Sequence, residues 1–232
     1  MSTKKDLLDK PLYAIPNYVY ALLLSSFYFL ICNPLLLIFY IITFINSSNF
    51  NFILLFISLI PLGPSIVALY LSMSKLIFEK NFSISSYFFS LYKNNFKSTM
   101  KIWLLELLIL FLFTMDSLYF YINLPSYGIH IIFILLSIYI LIVSLYLFPI
   151  NSKFEIKFKD LIILSFYYSL KKFPITLLKI AILILIIKIS SYIPSLIMLF
   201  LPSIISILFV YYDNSIFKEI ESKYDSSNDL DL

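Results

Sequence analysis

Glycine is nearly absent from this chain: Gly63 and Gly128 are the only two in 232 residues. A phosphate-cradling loop and a dinucleotide-binding turn each need closely spaced glycines, so nucleotide hydrolysis and dinucleotide chemistry are not expected. Cys32 is the single cysteine and His130 the single histidine, which excludes an internal disulfide. One Cys and one His do not build a usual zinc site. Any nucleophile–base set would have to draw on His130 alone. No enzymatic activity, no metal and no cofactor are therefore expected. Arginine is missing altogether, so no bidentate fork for carboxylate or phosphate exists, and an anion would have to be held by Lys or backbone N–H groups. Charge itself is scarce, at 13% of residues against about a quarter in a soluble domain.

What is present is apolar. Hydrophobic residues make up 61% of the chain, the mean hydropathy is +0.96, and the apolar residues come in runs long enough to cross a bilayer, which takes ~20 residues per helix. The runs are 18–45, 52–77, 99–121, 129–147, 174–190 and 195–212. The expected fold is all-α: a polytopic membrane bundle of about six transmembrane helices, forming one domain over 18–212. Residues 1–17 read as a cytoplasmic N-terminal segment and 213–232 as a cytoplasmic, frayed polar tail. The first run is too long for a signal peptide and lacks a small-residue cleavage site, so a retained helix bent at Pro34 is expected. The fourth helix is expected to stop at Pro149. A membrane barrel would show short alternating segments, which do not occur.

The lysines fix an expected orientation. They precede the first run (Lys4, Lys5, Lys10), surround the second connection (Lys75, Lys80, Lys93, Lys97, Lys101), fill the fourth (Lys153, Lys157, Lys159, Lys171, Lys172) and follow the sixth run (Lys218, Lys223). The first and third connections have none. The positive-inside rule then places both termini in the cytoplasm. Lysines in these positions belong to topology, and nucleic acid is not an expected partner. Two of the lysine-rich segments look amphipathic. In 82–101, Phe88, Tyr92 and Phe96 recur at spacing four beside Lys93, Lys97 and Lys101. In 153–165, Phe154, Phe158, Leu161 and Ile162 fall on one helical face. Both are expected as interfacial helices in the headgroup layer. A docking surface for an ATPase subunit is the alternative.

Two features inside the apolar runs stand out. Pro61-Leu62-Gly63-Pro64 lies near the middle of the second run, where two prolines remove two backbone donors. The simple expectation is a kink; the alternative is a discontinuous helix lining a ligand site. The second feature is charge: Glu106 and Asp116 in the third helix, Lys179 and Lys188 in the fifth. Charges in membrane helices face protein, water or a partner. The acidic pair is ~15 Å apart along a helix and the basic pair ~13.5 Å. Pairing or polar solvation of Glu106 and Lys179 is therefore expected over snorkelling to the interface, whereas for Asp116 and Lys188 pairing and snorkelling stand as equal alternatives.

One stretch, 58–121, resembles a known family. It has a Gly63-Pro64 step followed by Ala68-Leu69-Tyr70, then a Phe-x-x-x-Lys-x-Asn-Phe segment at Phe89, Lys93, Asn95 and Phe96, then Asp116 late in the next helix. Phe148-Pro149 closes a later helix. These features resemble the YesL-like membrane family, a domain of unknown function common in Firmicutes. Helix one is longer and more aromatic than the family pattern, and family arginines are lysines here. The resemblance implies a bacterial plasma-membrane protein with an accessory role beside a carbohydrate ABC importer, whose permease or ATPase subunits would be its partners. A small transporter or channel with its site at the Pro-Gly-Pro break is the alternative. The glutamate-alanine-alanine run and following glycine of an ABC permease coupling loop are absent, so the chain does not look like the permease.

Overall fold

The computed structural model describes residues 11–45, 50–78, 84–154, 156–190 and 200–228. Lys4, Lys5, Lys10 and Lys80 lie outside the described residues, as does Pro194, expected to break helix five from helix six. The described helices are α1 (Pro11–Ile31), α2 (Pro34–Ile45), α3 (Phe52–Ser58), α4 (Leu62–Phe78), α5 (Ile84–Asn123), α6 (Ile129–Lys153), α7 (Phe158–Lys171), α8 (Phe173–Ser190) and α9 (Leu201–Asn228). No strand occurs among the described residues, and the all-α class holds. Among the described residues two helices, α5 and α6, are each long and apolar enough to cross a membrane. The pairs α1–α2 and α3–α4 pass the same test jointly, bent by 80° and 41°.

The breaks follow from proline. Pro34 denies the Leu30 carbonyl its i+4 donor, and the Asn33 N–H takes that carbonyl at 3.0 Å in a tighter turn. Pro61 does the same to Ile57, whose carbonyl accepts from the Ile60 N–H at 3.2 Å. What was expected as a bend at Pro34 is thus a full break. Asn51 starts α3 as an N-cap, its Oδ1 accepting from the Ile53 N–H at 2.9 Å. Between α5 and α6, a 3-10 turn over Pro125–Tyr127 ends on Gly128 at φ 65°, a left-handed conformation that suits glycine.

The core gathers around α4, whose Val67, Ala68 and Met73 are fully buried. Phe88, Trp103 and Leu107 of α5, Tyr146 and Phe148 of α6, and Val210, Ile216 and Ile220 of α9 close on it. The outward faces remain apolar, for example Ile132, Leu135 and Ile138 on α6. That is the surface a lipid-embedded bundle presents.

Four expectations change. Residues 84–98 do not form a separate interfacial helix; they are the first turns of the continuous 40-residue α5. Phe88 is buried and packs against Tyr28 with the rings tilted, so that aromatic face points into the bundle while Lys93, Lys97 and Lys101 stay exposed. The second segment does form its own helix, α7, but Phe154 precedes it and Leu161 faces inward. The fourth helix runs through Pro149 to Lys153. Finally, 213–228 is no frayed tail: α9 continues through it and buries Asp213, Ile216, Phe217 and Ile220. At this end Lys172 pairs with Glu219 at 2.8 Å, Lys171 bonds the same carboxylate, and Lys153 pairs with Glu221 at 2.8 Å. These pairs tie the ends of α6 and α7 and the turn before α8 to α9.

Candidate functional site

Pro149 continues α6 but leaves the Leu145 carbonyl without its i+4 donor. A freed carbonyl inside a membrane bundle must find a donor elsewhere. Lys179 of α8 supplies it, its Nζ donating to Leu145 O at 2.8 Å. The same ammonium lies 2.6 Å from Oδ1 of Asp213 on α9. It also sits 4.2 Å from the centroid of the Tyr146 ring and 5.3 Å from that of Phe209, both within cation–π range. Tyr70 of α4 donates to the other carboxylate oxygen of Asp213 at 3.2 Å. Lys179 is 0% and Asp213 1% exposed, so the pair has left water entirely.

Thr176, one turn before Lys179, completes the junction. Its hydroxyl donates to the Ser169 carbonyl at 2.8 Å, near the end of α7. With that proton committed, the Tyr146 hydroxyl, 2.7 Å away, is the donor to Thr176 Oγ1. Side chains of α4, α6, α8 and α9 thus converge on one buried ion pair and its hydrogen bonds. Thr176 and Lys179 are the buried side chains of α8 among the described residues, whereas its Leu177, Leu178, Ile184 and Leu185 face outward. The fully enclosed side chains of α8 are thus polar, while Ile175, Ile182 and Leu183 pack part-buried against the core.

Glu106 does not pair with Lys179. It faces α6, where Ser144 bonds its Oε1, while its Oε2 is buried without a hydrogen-bond partner. Asp116 and Lys188 are exposed, and no ion pair joins them. The reason is packing: α8 lies against α6, α7 and α9, whereas the depth match between the third and fifth helices assumed that those two touch. Asn95 is partly buried and donates to the Leu91 carbonyl of its own helix at 3.0 Å.

At the second break the chain is packed closed. Pro61 is half-buried and Gly63 and Pro64 are buried. Trp103 of α5 donates from Nε1 to the Leu59 carbonyl at 2.8 Å. Its side chain fills the space beside Gly63, where an added Cβ would lie 2.5 Å from Trp103 Cγ. Close approach of Trp103 is the reason for that glycine. The two breaks also meet: Asn33 donates from Nδ2 to Ser65 Oγ at 2.8 Å and to Phe29 O at 2.7 Å.

The sequence reading missed Asp213, Tyr70, Tyr146, Thr176, Trp103 and Asn33. For Asp213 a signal existed. Phe209, Asp213, Ile216, Phe217 and Ile220 keep helical spacing across the supposed end of the sixth run.

No curated protein and no solved structure matches the chain. Residues 29–117 match the family model described as "Protein of unknown function, DUF624". That match spans both breaks, Trp103 and Glu106, and it contains the Gly63-Pro64 and Phe89–Phe96 features that suggested the relation. Residues 29–117 carry the DUF624 domain, the domain of unknown function of the YesL-like membrane family.

Proposed function

We propose that this protein is a non-enzymatic accessory component of a membrane complex, associated with a carbohydrate ABC importer, in the bacterial plasma membrane with both termini on the cytoplasmic side. The observation that carries the reading is the closed packing at Gly63, where Trp103 occupies the space beside the helix break. An accessory role expects dry packing there; a conduction path expects water. The buried ion pair supports the same reading, since Lys179 and Asp213 use their groups to join helices of this chain. The importer association rests on the family resemblance alone. The orientation rests on the lysine distribution.

A small transporter or channel is the second reading, favoured by the three charged residues buried among the described residues, since such residues in membrane helices often mark ion paths. Co-purification in mild detergent followed by mass spectrometry separates the two. Recovery of importer permease or ATPase subunits with the protein is the expected result. Recovery of the protein alone under several conditions would count against the accessory role. Labelling of cysteines introduced at Ser47 and Ser126 tests orientation, with reaction from the outside expected at both.

A further inference from the structure

Three charged side chains are buried among the described residues: Glu106 at 6%, Lys179 at 0% and Asp213 at 1% exposed. Lys179 and Asp213 neutralise one another. Glu106 is left as a carboxyl with no cation paired to it among the described residues. Its Oε1 meets Ser144, and its Oε2 is fully enclosed without a partner. An uncompensated carboxylate in such surroundings is strongly disfavoured, because it has lost its hydration and gained no counter-ion.

Among the described residues, the surrounding helices offer no counter-charge. From α4 the titratable groups are Tyr70, bound to Asp213, and Lys75, whose ammonium lies over the Tyr87 ring. From α6 they are Tyr146, bound to Thr176, Tyr139, packed on Phe166, Lys153, paired with Glu221, and His130, against Tyr121 at the other end of the helix. From α1, Tyr28 bonds Ser85, and Tyr18 and Tyr20 are exposed. On α5 itself Lys101 and Asp116 are exposed, five and ten residues away.

Hydrogen bonding points the same way. Ser144 Oγ faces two acceptors, Glu106 Oε1 and the Ile140 carbonyl at 3.0 Å, and carries one proton. One proton does not serve both acceptors, and a cation at the carboxyl lets both contacts stand, with Ser144 donating to the Ile140 carbonyl and offering a lone pair toward Glu106.

We propose that Glu106 and Ser144 form a binding site for one monovalent cation, a proton or an alkali ion, in the interior of the bundle. The bound cation balances the excess carboxylate and joins α5 to α6 through the Glu106–Ser144 contact. The chemistry is shared by both sources: an oxygen pair, enclosed, with a single negative charge.

The test uses the full chain in detergent at constant ionic strength, with choline as the inert cation. The thermal midpoint is followed from mildly acidic to alkaline pH, with and without sodium chloride. A site filled in the native state and released on unfolding loses its contribution as the ligand becomes scarce. The midpoint of the native sequence is therefore expected to shift down as pH rises. Restoration by sodium at alkaline pH assigns the site to an alkali ion, and indifference to sodium assigns it to the proton. Glu106→Gln, neutral and isosteric, is expected to remove the part of the pH or sodium shift that belongs to the site. Equal shifts in Glu106→Gln and the native sequence would overturn the proposal. Should that variant fail to fold, a hydrophobic carbodiimide on the native sequence, mapped by mass spectrometry, gives an independent readout. Modification of Glu106 that fades at alkaline pH or with added sodium is expected. No modification at any pH, or modification indifferent to both, contradicts the site.

Discussion

Lys179 and Asp213 meet 2.6 Å apart across α8 and α9, at the point where Pro149 leaves the Leu145 carbonyl to be taken by the same ammonium. One proline in α6, one lysine in α8 and one aspartate in α9 thereby solve each other's problem. The freed carbonyl gains a donor, the cation gains an anion, and α8 gains its attachment. A buried pair of this kind need not stabilise relative to an apolar replacement, but loss of either partner leaves the other uncompensated.

Gly63→Ala is expected to destabilise the protein by about 1–3 kcal/mol, because its Cβ would enter the Trp103 side chain. Thermal unfolding in detergent measures it. Adding Trp103→Phe should recover part of the loss by opening space, while giving up the bond to Leu59 O. A double variant worse than the sum of the two single variants would show that the contact at Gly63 is not the cause.

Asn33 bridges the two helix breaks through Ser65 Oγ. Ser65→Ala is expected to cost about 0.5–1.5 kcal/mol, the scale of one hydrogen bond, since Asn33 keeps its bond to Phe29 O. Asn33→Ala removes both bonds and should cost more. Melting midpoints of the two variants, compared side by side, check the order.

Glu219 lies at the lysine-rich end, where hydrogen bonds from Lys171 and Lys172 hold its carboxyl down to about 2. Its native-state value is thus below that of the unfolded chain. The contribution is present above the ordinary carboxylate range and is lost as pH falls toward about 2. These three side chains are partly exposed, so the effect is small and weakens in high salt. Acid unfolding of Glu219→Gln against the native sequence, at low and high salt, should show a difference only at low salt.

Much of the fold was legible in the sequence, because apolar runs ~20 residues long have few alternatives in a bilayer. The breaks at Pro34 and Pro61 were legible for the same reason that prolines break helices. The helix ends were not. Polarity rises after Tyr212, yet α9 continues because the lysine-rich end of the bundle packs Ile216, Phe217 and Ile220 against its core. That error hid Asp213 and assigned Lys179 to Glu106. Burial of both Glu106 and Lys179 was expected from their depth, but the partner of each depended on which helices touch. Sequence spacing does not carry that information. Pro149 shows the same limit: read as a stop, it is a continuation made possible by a lysine thirty residues later.

The most direct test of the account is a pair of double-mutant cycles on thermal stability. For Lys179→Met and Asp213→Leu, each single change is expected to cost about 3–5 kcal/mol, and the double change far less than their sum. For Lys179→Met and Glu106→Gln, the losses are expected to add to within about 0.5 kcal/mol. Strong coupling of Lys179 to Glu106, with additivity against Asp213, would contradict the arrangement at the centre of this structure.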